Sequence, residues 1–196
     1  MAEVVDYGRV QAELGGKGLR CLYHNSGSWG FGDPTKVRAV GWILADDVTL
    51  RPGAREVARV LDGIDELVTG VMSTWERVGG DLWLLPGSHW AYELDFGTPA
   101  MEAVLHRWGV KGAEGLVGRN DGSAVRFGLS GGVDGVDEAA AAGILKELLG
   151  CGTTSDYQIV FPSLPLTGIA HHHVQVWWQT EDTELAGWLG GFGKSL

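Results

Sequence analysis

Apolar residues recur at helical spacing in several segments of the chain. In residues 52–69, the most regular of them, the apolar positions are Val57, Val60, Leu61, Ile64 and Val68. Such a stripe opposite charged residues predicts an amphipathic helix with one buried face. Helices are also predicted in residues 3–14, 99–108, 136–150 and 182–192. The helix predicted for residues 99–108 begins at a typical start signal, because Thr98 is a good N-cap residue and Pro99 suits the first helical position.

Other segments alternate apolar and polar residues with a period of two, which is typical of β-strands. They comprise residues 18–24, 36–45, 156–163 and 169–180. Residues 81–97 are predicted to form two strands joined at Pro86 and Gly87. Residues 113–130 are predicted to form a hairpin that turns at Asn120, Asp121 and Gly122. We expect strands joined by such short turns to pair antiparallel.

These segments together predict an α+β fold. A helix followed by two strands recurs about four times, and one helix closes the chain. We therefore expect a single large antiparallel sheet with the helices packed on one face, a two-layer sandwich whose other face meets solvent or a ligand. The chain is expected to form one domain over residues 1–196. The alternative is a pair of smaller lobes with a boundary near residues 97–112.

The segment GIAHHHVQVWWQTED contains three consecutive histidines, which do not form one cluster if the segment is a strand. His171 and His173 then share one face, and His172 points to the opposite face among aliphatic residues. Along a strand the first two are about 7 Å apart, a spacing that suits two metal ligands. The alternation therefore predicts a pair of histidines on the polar face of the sheet.

Residues of a neighbouring strand extend this pair to a candidate catalytic site. If the predicted strand with His89 and Glu93 lies beside it, both side chains join His171 and His173. His89, His171 and His173 are a donor set for zinc or another divalent metal. Histidine and glutamate also act in acid–base catalysis, so one hypothesis is a metal-dependent or acid–base hydrolase. This hypothesis requires a stoichiometric metal, or an activity, that is lost in a His171→Ala, His173→Ala variant.

Three tryptophans and two polar residues indicate a binding surface instead. Trp29 lies in a glycine-rich loop without a periodic core position, and Trp42 and Trp177 fall on or near the polar sheet face. Arg126 and Gln175 are predicted on the same face. Exposed tryptophan is unfavourable in water and is enriched in binding hot spots. These five residues are therefore candidates for contact with a partner.

Charge and composition narrow the class of partner. The chain has 25 acidic and 15 basic residues, a net charge of −10, which argues against duplex DNA or an anionic membrane. No segment has the run of about 20 apolar residues that a membrane span needs. The N-terminus lacks the basic and apolar regions of a signal peptide. We therefore expect a cytoplasmic protein.

These observations favour a binding function over catalysis. The favoured hypothesis is a small, acidic, cytoplasmic domain that binds another protein, with a basic protein as the partner that its charge suits. An inhibitor or immunity-type partner of a basic toxin enzyme would have this size and charge. Nucleic acid and membrane are not expected as partners, and the hydrolase with a divalent metal is the alternative.

Overall fold

A computed structural model describes residues 1–44, 57–91, 101–116, 118–129, 136–150, 156–171 and 173–192. The helices in these ranges are α1 (Tyr7–Gly16), α2 (Ile64–Val78), α3 (Met101–Arg107), α4 (Val136–Gly150) and α5 (Thr183–Gly191). The strands are β1 (Glu3–Val5), β2 (Leu19–Cys21), β3 (Trp29–Phe31), β4 (Arg38–Leu44), β5 (Val57–Leu61), β6 (Asp81–Pro86), β7 (Ala124–Gly128), β8 (Tyr157–Phe161), β9 (Leu166–His171) and β10 (Gln175–Thr180). None of the helices in the described ranges combines the length and the apolar character that a bilayer span requires.

Eight strands form one mostly antiparallel sheet, in the order β1-β7-β6-β8-β9-β10-β4-β5. The neighbouring strands pair antiparallel, except that β5 runs parallel to β4. Strands β2 and β3 form a separate antiparallel hairpin. The chain is therefore a mixed α/β protein built on one large sheet.

Helices α2, α3, α4 and α5 supply the main core on one face of the sheet. Helix α2 directs Leu67, Val71 and Trp75 into this core, where all three are fully buried. The strands contribute alternate residues such as Ile159 and Trp178. Burial of these apolar side chains is the main force that holds the helices on the sheet.

The opposite face of the sheet is covered over part of its width. Helix α1 and the β2–β3 hairpin pack there against strands β1, β7, β6 and β8. The second core that they bury consists of Val5, Val10, Leu14, Leu19, Trp29, Trp83, Leu85, Ala124 and Val160. Farther along, on β9, β10 and β4, this face carries Ile169, Trp177, Gln179 and Ala39, which are all partly exposed. We call these four residues the open face.

The predicted α+β class and the large antiparallel sheet are confirmed. The repeated helix-strand-strand order and the two-layer sandwich are not, because four strands follow α1 before α2 begins. The apolar residues Val10 and Leu14 also bring α1 to the face of the sheet opposite the other helices.

The helix predicted for residues 52–69 is wrong in its first half. Val57–Leu61 is strand β5, and α2 begins only at Ile64. Residues 52–56 lie outside the described ranges. The Glu66 carboxylate accepts a hydrogen bond from the backbone N–H of Asp62 at 2.8 Å, next to the start of the helix. The apolar spacing of Val57–Leu61 fits both a helix and a strand, and the segment forms a strand because it pairs with β4.

Two predicted strands do not form in the parts of them that the structure describes. Only the second strand of the hairpin predicted for residues 113–130 forms, and the backbone before it turns at Gly115 with φ +83°. Trp90 and Ala91 are helical rather than part of the strand predicted after Pro86. Trp90 is completely buried, and its indole N–H donates to the Ser123 carbonyl at 2.7 Å. Residues 92–97 of that predicted strand lie outside the described residues.

Candidate functional site

The histidine segment is two strands joined by a tight connection, not one strand. β9 ends at His171 and β10 begins at Gln175, and the two residues are paired in the antiparallel register. The backbone N–H of Val174 donates to the His171 carbonyl at 2.9 Å. Val174 itself adopts a left-handed φ of +57°, which is the geometry of a three-residue hairpin loop. His172 lies outside the described residues, so its predicted burial stays a prediction.

The rings of His171 and His173 contact each other. Their ring centroids are 4.8 Å apart, and His171 Nδ1 accepts a hydrogen bond from the backbone N–H of His173 at 3.2 Å. His171 Nε2 lies 3.9 Å from the carboxylate of Asp156, which precedes β8. The histidine pair therefore lies beside a carboxylate that the sequence did not assign to it.

The proposed catalytic and metal residues are only partly brought together. Pro86 pairs with Tyr157, and Tyr157 pairs with Ala170, so β6 and β9 end at the same side of the sheet. His171 is the last residue of β9, and His89 follows β6 by three residues. Glu93 lies outside the described residues. Within the described ranges, no group of three or more His, Cys, Asp or Glu side chains is arranged to hold a metal ion. The hydrolase hypothesis stays a prediction.

Trp177 lies on the open face, as the sequence predicted. Its ring covers Gly41 of β4 so closely that a Cβ atom at Gly41 would be 2.5 Å from it. The indole N–H donates to the side-chain oxygen of Gln175 at 2.8 Å, and Gln175 is itself buried. The register places Trp177 between Gly41 and Ile169. The side chain is therefore held in place on a partly exposed apolar surface.

Trp42 and Trp29 were predicted on a binding surface, but both side chains are buried. Trp42 is 0% exposed on the helix side of β4, and its indole N–H donates to the Leu189 carbonyl at 3.0 Å. The alternation of β4 turns Gly41 rather than Trp42 toward the open face. Trp29 is 3% exposed because the loop around it forms strand β3. Its side chain packs into the second core.

Arg126 does not join the other predicted site residues. It lies on β7, four strands from β10 in the sheet order, or about 19 Å away at the usual strand spacing. Its guanidinium pairs with Glu3 of β1 and lies 3.7 Å from the Asp81 carboxylate of β6. The side chain therefore connects the carboxylates of its two neighbouring strands.

A groove runs between the β2–β3 hairpin and the open face. Its first cavity, of about 390 Å³, is lined by Leu22, Tyr23, Ser28, Trp29, Gly87, Ser88, Asp156, Tyr157, Gln158, Ile169 and Gln179. The second, of about 350 Å³, is lined by Leu22, Gly30, Phe31, Pro34, Val37, Ala39 and Gln179. Leu22 and Gln179 line both cavities. We call the two together the hairpin groove.

A buried glutamine attaches the hairpin to the sheet beside this groove. The side-chain oxygen of Gln158 accepts from the backbone N–H of Trp29 at 2.6 Å, and its amide nitrogen donates to the Trp29 carbonyl at 2.5 Å. The Ser28 hydroxyl also donates to the Gly87 carbonyl. Gln158 is 4% exposed, so both bonds are shielded from water. The groove wall is therefore fixed by directional contacts.

The most exposed apolar side chains of the groove were not among the predicted site residues. Leu22 is 57% exposed and Tyr23 is 69% exposed. The sequence carried one signal: Leu19 and Cys21 alternate toward the second core, and Leu22 breaks this alternation with an apolar residue. The sequence does not show that Leu22 faces a groove, because the groove forms only where the folded chain places the hairpin beside β9 and β10.

A phenol–thiol contact connects α1 to the same hairpin. The Tyr7 hydroxyl donates to Cys21 Sγ at 3.4 Å, and this thiol donates to the Tyr23 carbonyl at 2.7 Å. Burial and the hydrogen bond to Cys21 raise the pKa of Tyr7 to about 12.

This pKa predicts a loss of stability at high pH. The folded protein keeps the Tyr7 proton in a range where the unfolded chain releases it, so the free energy of unfolding should fall as the pH rises from 10.0 to about 12. Ultraviolet titration should show a late-ionising tyrosine that disappears in Tyr7→Phe and remains in the control Tyr23→Phe. Cys21→Ala should lower this pKa. Ionisation of all tyrosines in one step near pH 10.0 would contradict the contact.

The chain matches no protein-family model, no curated protein sequence and no solved structure.

Proposed function

We propose that this protein is a binding domain that holds a basic partner protein in the hairpin groove. The observation that carries the proposal is a pair of cavities that share Leu22 and Gln179 in their lining, together with the exposure of Leu22 and Tyr23. Concave sites with apolar walls and a few polar groups are the usual form of binding pockets. The partly exposed Trp177 extends the apolar surface beyond the groove.

Charge supports a basic partner. The chain has a net charge of −10, and Asp156 carries the only formal charge among the described residues that line the two cavities. A basic partner would be attracted over the whole approach and would meet no lysine or arginine among the described residues that line the two cavities. Inhibition of a basic enzyme in the cytoplasm, as an immunity-type protein, is the form of this function that we propose.

Selection of peptides from a random displayed library tests the groove directly. We expect the selected peptides to be rich in basic and aromatic residues. Leu22→Ser and Tyr23→Ala should each weaken their binding at least about tenfold, because truncation of an interface anchor usually costs 2 kcal/mol or more. Binding is measured by calorimetric titration of purified protein with synthetic peptide.

Val60 provides a matched control for this test. It is 57% exposed, like Leu22, but lies on the edge strand β5. Val60→Ser should leave the peptide affinity unchanged. Peptides that bind the Leu22→Ser variant with the same affinity as the original protein would show that the groove does not hold a basic partner. Selection of mainly acidic peptides would show the same.

A further inference from the structure

Gln179 borders both cavities of the hairpin groove, and Leu22 is the other residue that does so. Every other polar side chain of the lining borders the first cavity alone, because the second is otherwise lined by Gly30, Phe31, Pro34, Val37 and Ala39. The Gln179 side chain is partly exposed and forms no hydrogen bond or ion pair within the part of the chain that the structure describes. Its carboxamide is therefore open to a ligand that spans the two cavities.

The neighbours of Gln179 in the sheet do not occupy this carboxamide. Gln179 pairs with Ala39 of β4 on one side and with Thr167 of β9 on the other. The side chain of Ala39 has no polar atom, and the hydroxyl of Thr167 is buried at 1% exposure of the residue. A partner from outside the sheet is therefore needed to satisfy the carboxamide.

The protein already uses such a side chain to hold an extended backbone on the same face of the sheet. The Gln158 carboxamide accepts from the N–H of Trp29 at 2.6 Å and donates to the carbonyl of the same residue at 2.5 Å. Gln158 pairs with Ile169, and Ile169 pairs with Trp177, two residues before Gln179 on β10. Both glutamines therefore lie on one face, two strands or about 10 Å apart across the sheet.

We propose that Gln179 binds the main chain of an extended segment of the basic partner, which deepens the proposed function and rests on it. The side-chain oxygen accepts from the N–H of one partner residue, and the side-chain amide donates to the carbonyl of that residue. Both backbone groups of a residue in an extended chain point to the same side, as Trp29 shows with Gln158. The two side chains that flank this residue enter the two cavities, on either side of Leu22.

Three tripeptide probes test this inference without the partner. The amide probe is acetyl-leucyl-arginyl-leucine methylamide, which has one cationic residue between two apolar side chains. We expect it to bind with a dissociation constant on the order of 1 mM or below. In the ester probe, an oxygen replaces the arginine N–H and leaves every side chain unchanged. This probe should bind at least about fivefold more weakly, because it cannot donate to Gln179.

The third probe is the control, with the ester at the first leucine. The N–H of this residue points to the opposite side of an extended chain, away from Gln179. The control probe should therefore bind like the amide probe. Because all three probes are compared on the unmodified protein, this part of the result does not depend on the folding of a variant.

A Gln179→Met variant connects the effect to the side chain. Methionine keeps the length of glutamine and removes both hydrogen bonds, so the amide probe should bind at least about fivefold more weakly. The amide and ester probes should bind this variant equally, because no carboxamide remains for the arginine N–H to reach. Nuclear magnetic resonance of the unmodified protein should show the amide probe shifting the side-chain amide signals of Gln179, which are identified by their loss in the variant.

Three results would overturn the inference. The first is an unchanged Gln179 side-chain signal at about 10 mM amide probe, roughly ten times the expected dissociation constant. The second is equal binding of the amide and ester probes to the unmodified protein. The third is a preference for the amide probe that persists in Gln179→Met.

The outcome is distinguishable from a failure of the proposed function. If the amide and ester probes bind equally while selected peptides still depend on Leu22, the main-chain contact is wrong and the groove function stands. If the preference for the amide probe depends on Gln179 while selected peptides ignore Leu22 and Tyr23, the main-chain contact stands and the groove does not hold a basic partner.

Discussion

Replacement of Trp178 by alanine is expected to lower the free energy of unfolding by about 3–5 kcal/mol, the usual cost of truncating a fully buried aromatic side chain. Trp178 is 0% exposed on the helix side of β10. Its ring stacks on Phe161 at 6.1 Å and meets Trp42 edge-on at 5.3 Å. It also covers Gly168, where a Cβ atom would be 2.7 Å from the ring. Alanine would leave a cavity that these neighbours cannot fill.

The adjacent Trp177 is the matched comparison. Its ring lies on the open face, so Trp177→Ala should cost about 1 kcal/mol and keep the fold. The same change should weaken the binding of selected peptides that extend from the hairpin groove over the open face. Thermal unfolding followed by circular dichroism should show a decrease in Tm of roughly 6–20 °C for Trp178→Ala and roughly 2–4 °C for Trp177→Ala. A larger decrease in Tm for Trp177→Ala than for Trp178→Ala would mean that β10 presents the opposite face to the core.

The size of the Trp178 effect can be checked with a smaller substitution. The indole N–H of Trp178 has no hydrogen-bond partner among the described residues, although it is buried. Trp178→Phe keeps most of the ring contacts and removes this unpaired donor. It should therefore cost less than half as much as Trp178→Ala. If Trp178→Phe lowered the free energy of unfolding as much as Trp178→Ala, this would indicate that the indole N–H is hydrogen-bonded.

Replacement of Gly122 by alanine is expected to cost up to about 3 kcal/mol, the upper end of the usual penalty for overpacking. A Cβ atom at Gly122 would lie 2.3 Å from the carbonyl carbon and oxygen of Ser26 and 2.5 Å from the backbone nitrogen of Gly27. These atoms belong to the backbone, so no side-chain rotation relieves the clash. The Gly122 N–H also donates to the Asn25 carbonyl at 2.8 Å, a bond that the displaced loop would lose.

The functional effect of Gly122→Ala should accompany the structural one. The loop that must move connects Tyr23 to Trp29, and both residues line the first cavity. Peptides selected for the groove should therefore bind this variant poorly even at temperatures where it remains folded. Gly15→Ala is the control, because a Cβ at this exposed position of α1 meets nothing within 4 Å. It should stabilise the protein by about 0.5–1 kcal/mol. Similar denaturation midpoints for the two variants would contradict the tight packing at Gly122.

Most individual elements of this fold could be predicted from the sequence. The alternation in β4 and β8 depends on which residues are adjacent along the chain, and it identified both strands. The helix at 136–150 was predicted with its observed bounds because a run of strong helix formers needs no distant partner. Even Trp177 was placed on the open face, since its face follows from the alternation within β10.

The errors occurred where a local pattern admits two structures. The apolar residues of Val57–Leu61 fit either a helix or a strand, and pairing with β4 selects the strand. The histidine segment alternates like one strand, but it turns at Val174 so that β9 and β10 pair with each other. In both cases the hydrogen bonds that decide the structure join residues of two different segments.

The sequence by itself determined the α+β class, most strands, the acidic charge and the polar and apolar faces of β10. Only the tertiary structure decided that α1 and the β2–β3 hairpin together cover part of one sheet face and leave a groove lined by Leu22, Tyr23 and Asp156. The faces of a strand follow from its own side-chain period. The order of strands, and what lies above them, depend on contacts between residues as distant in sequence as Trp29 and Gln158.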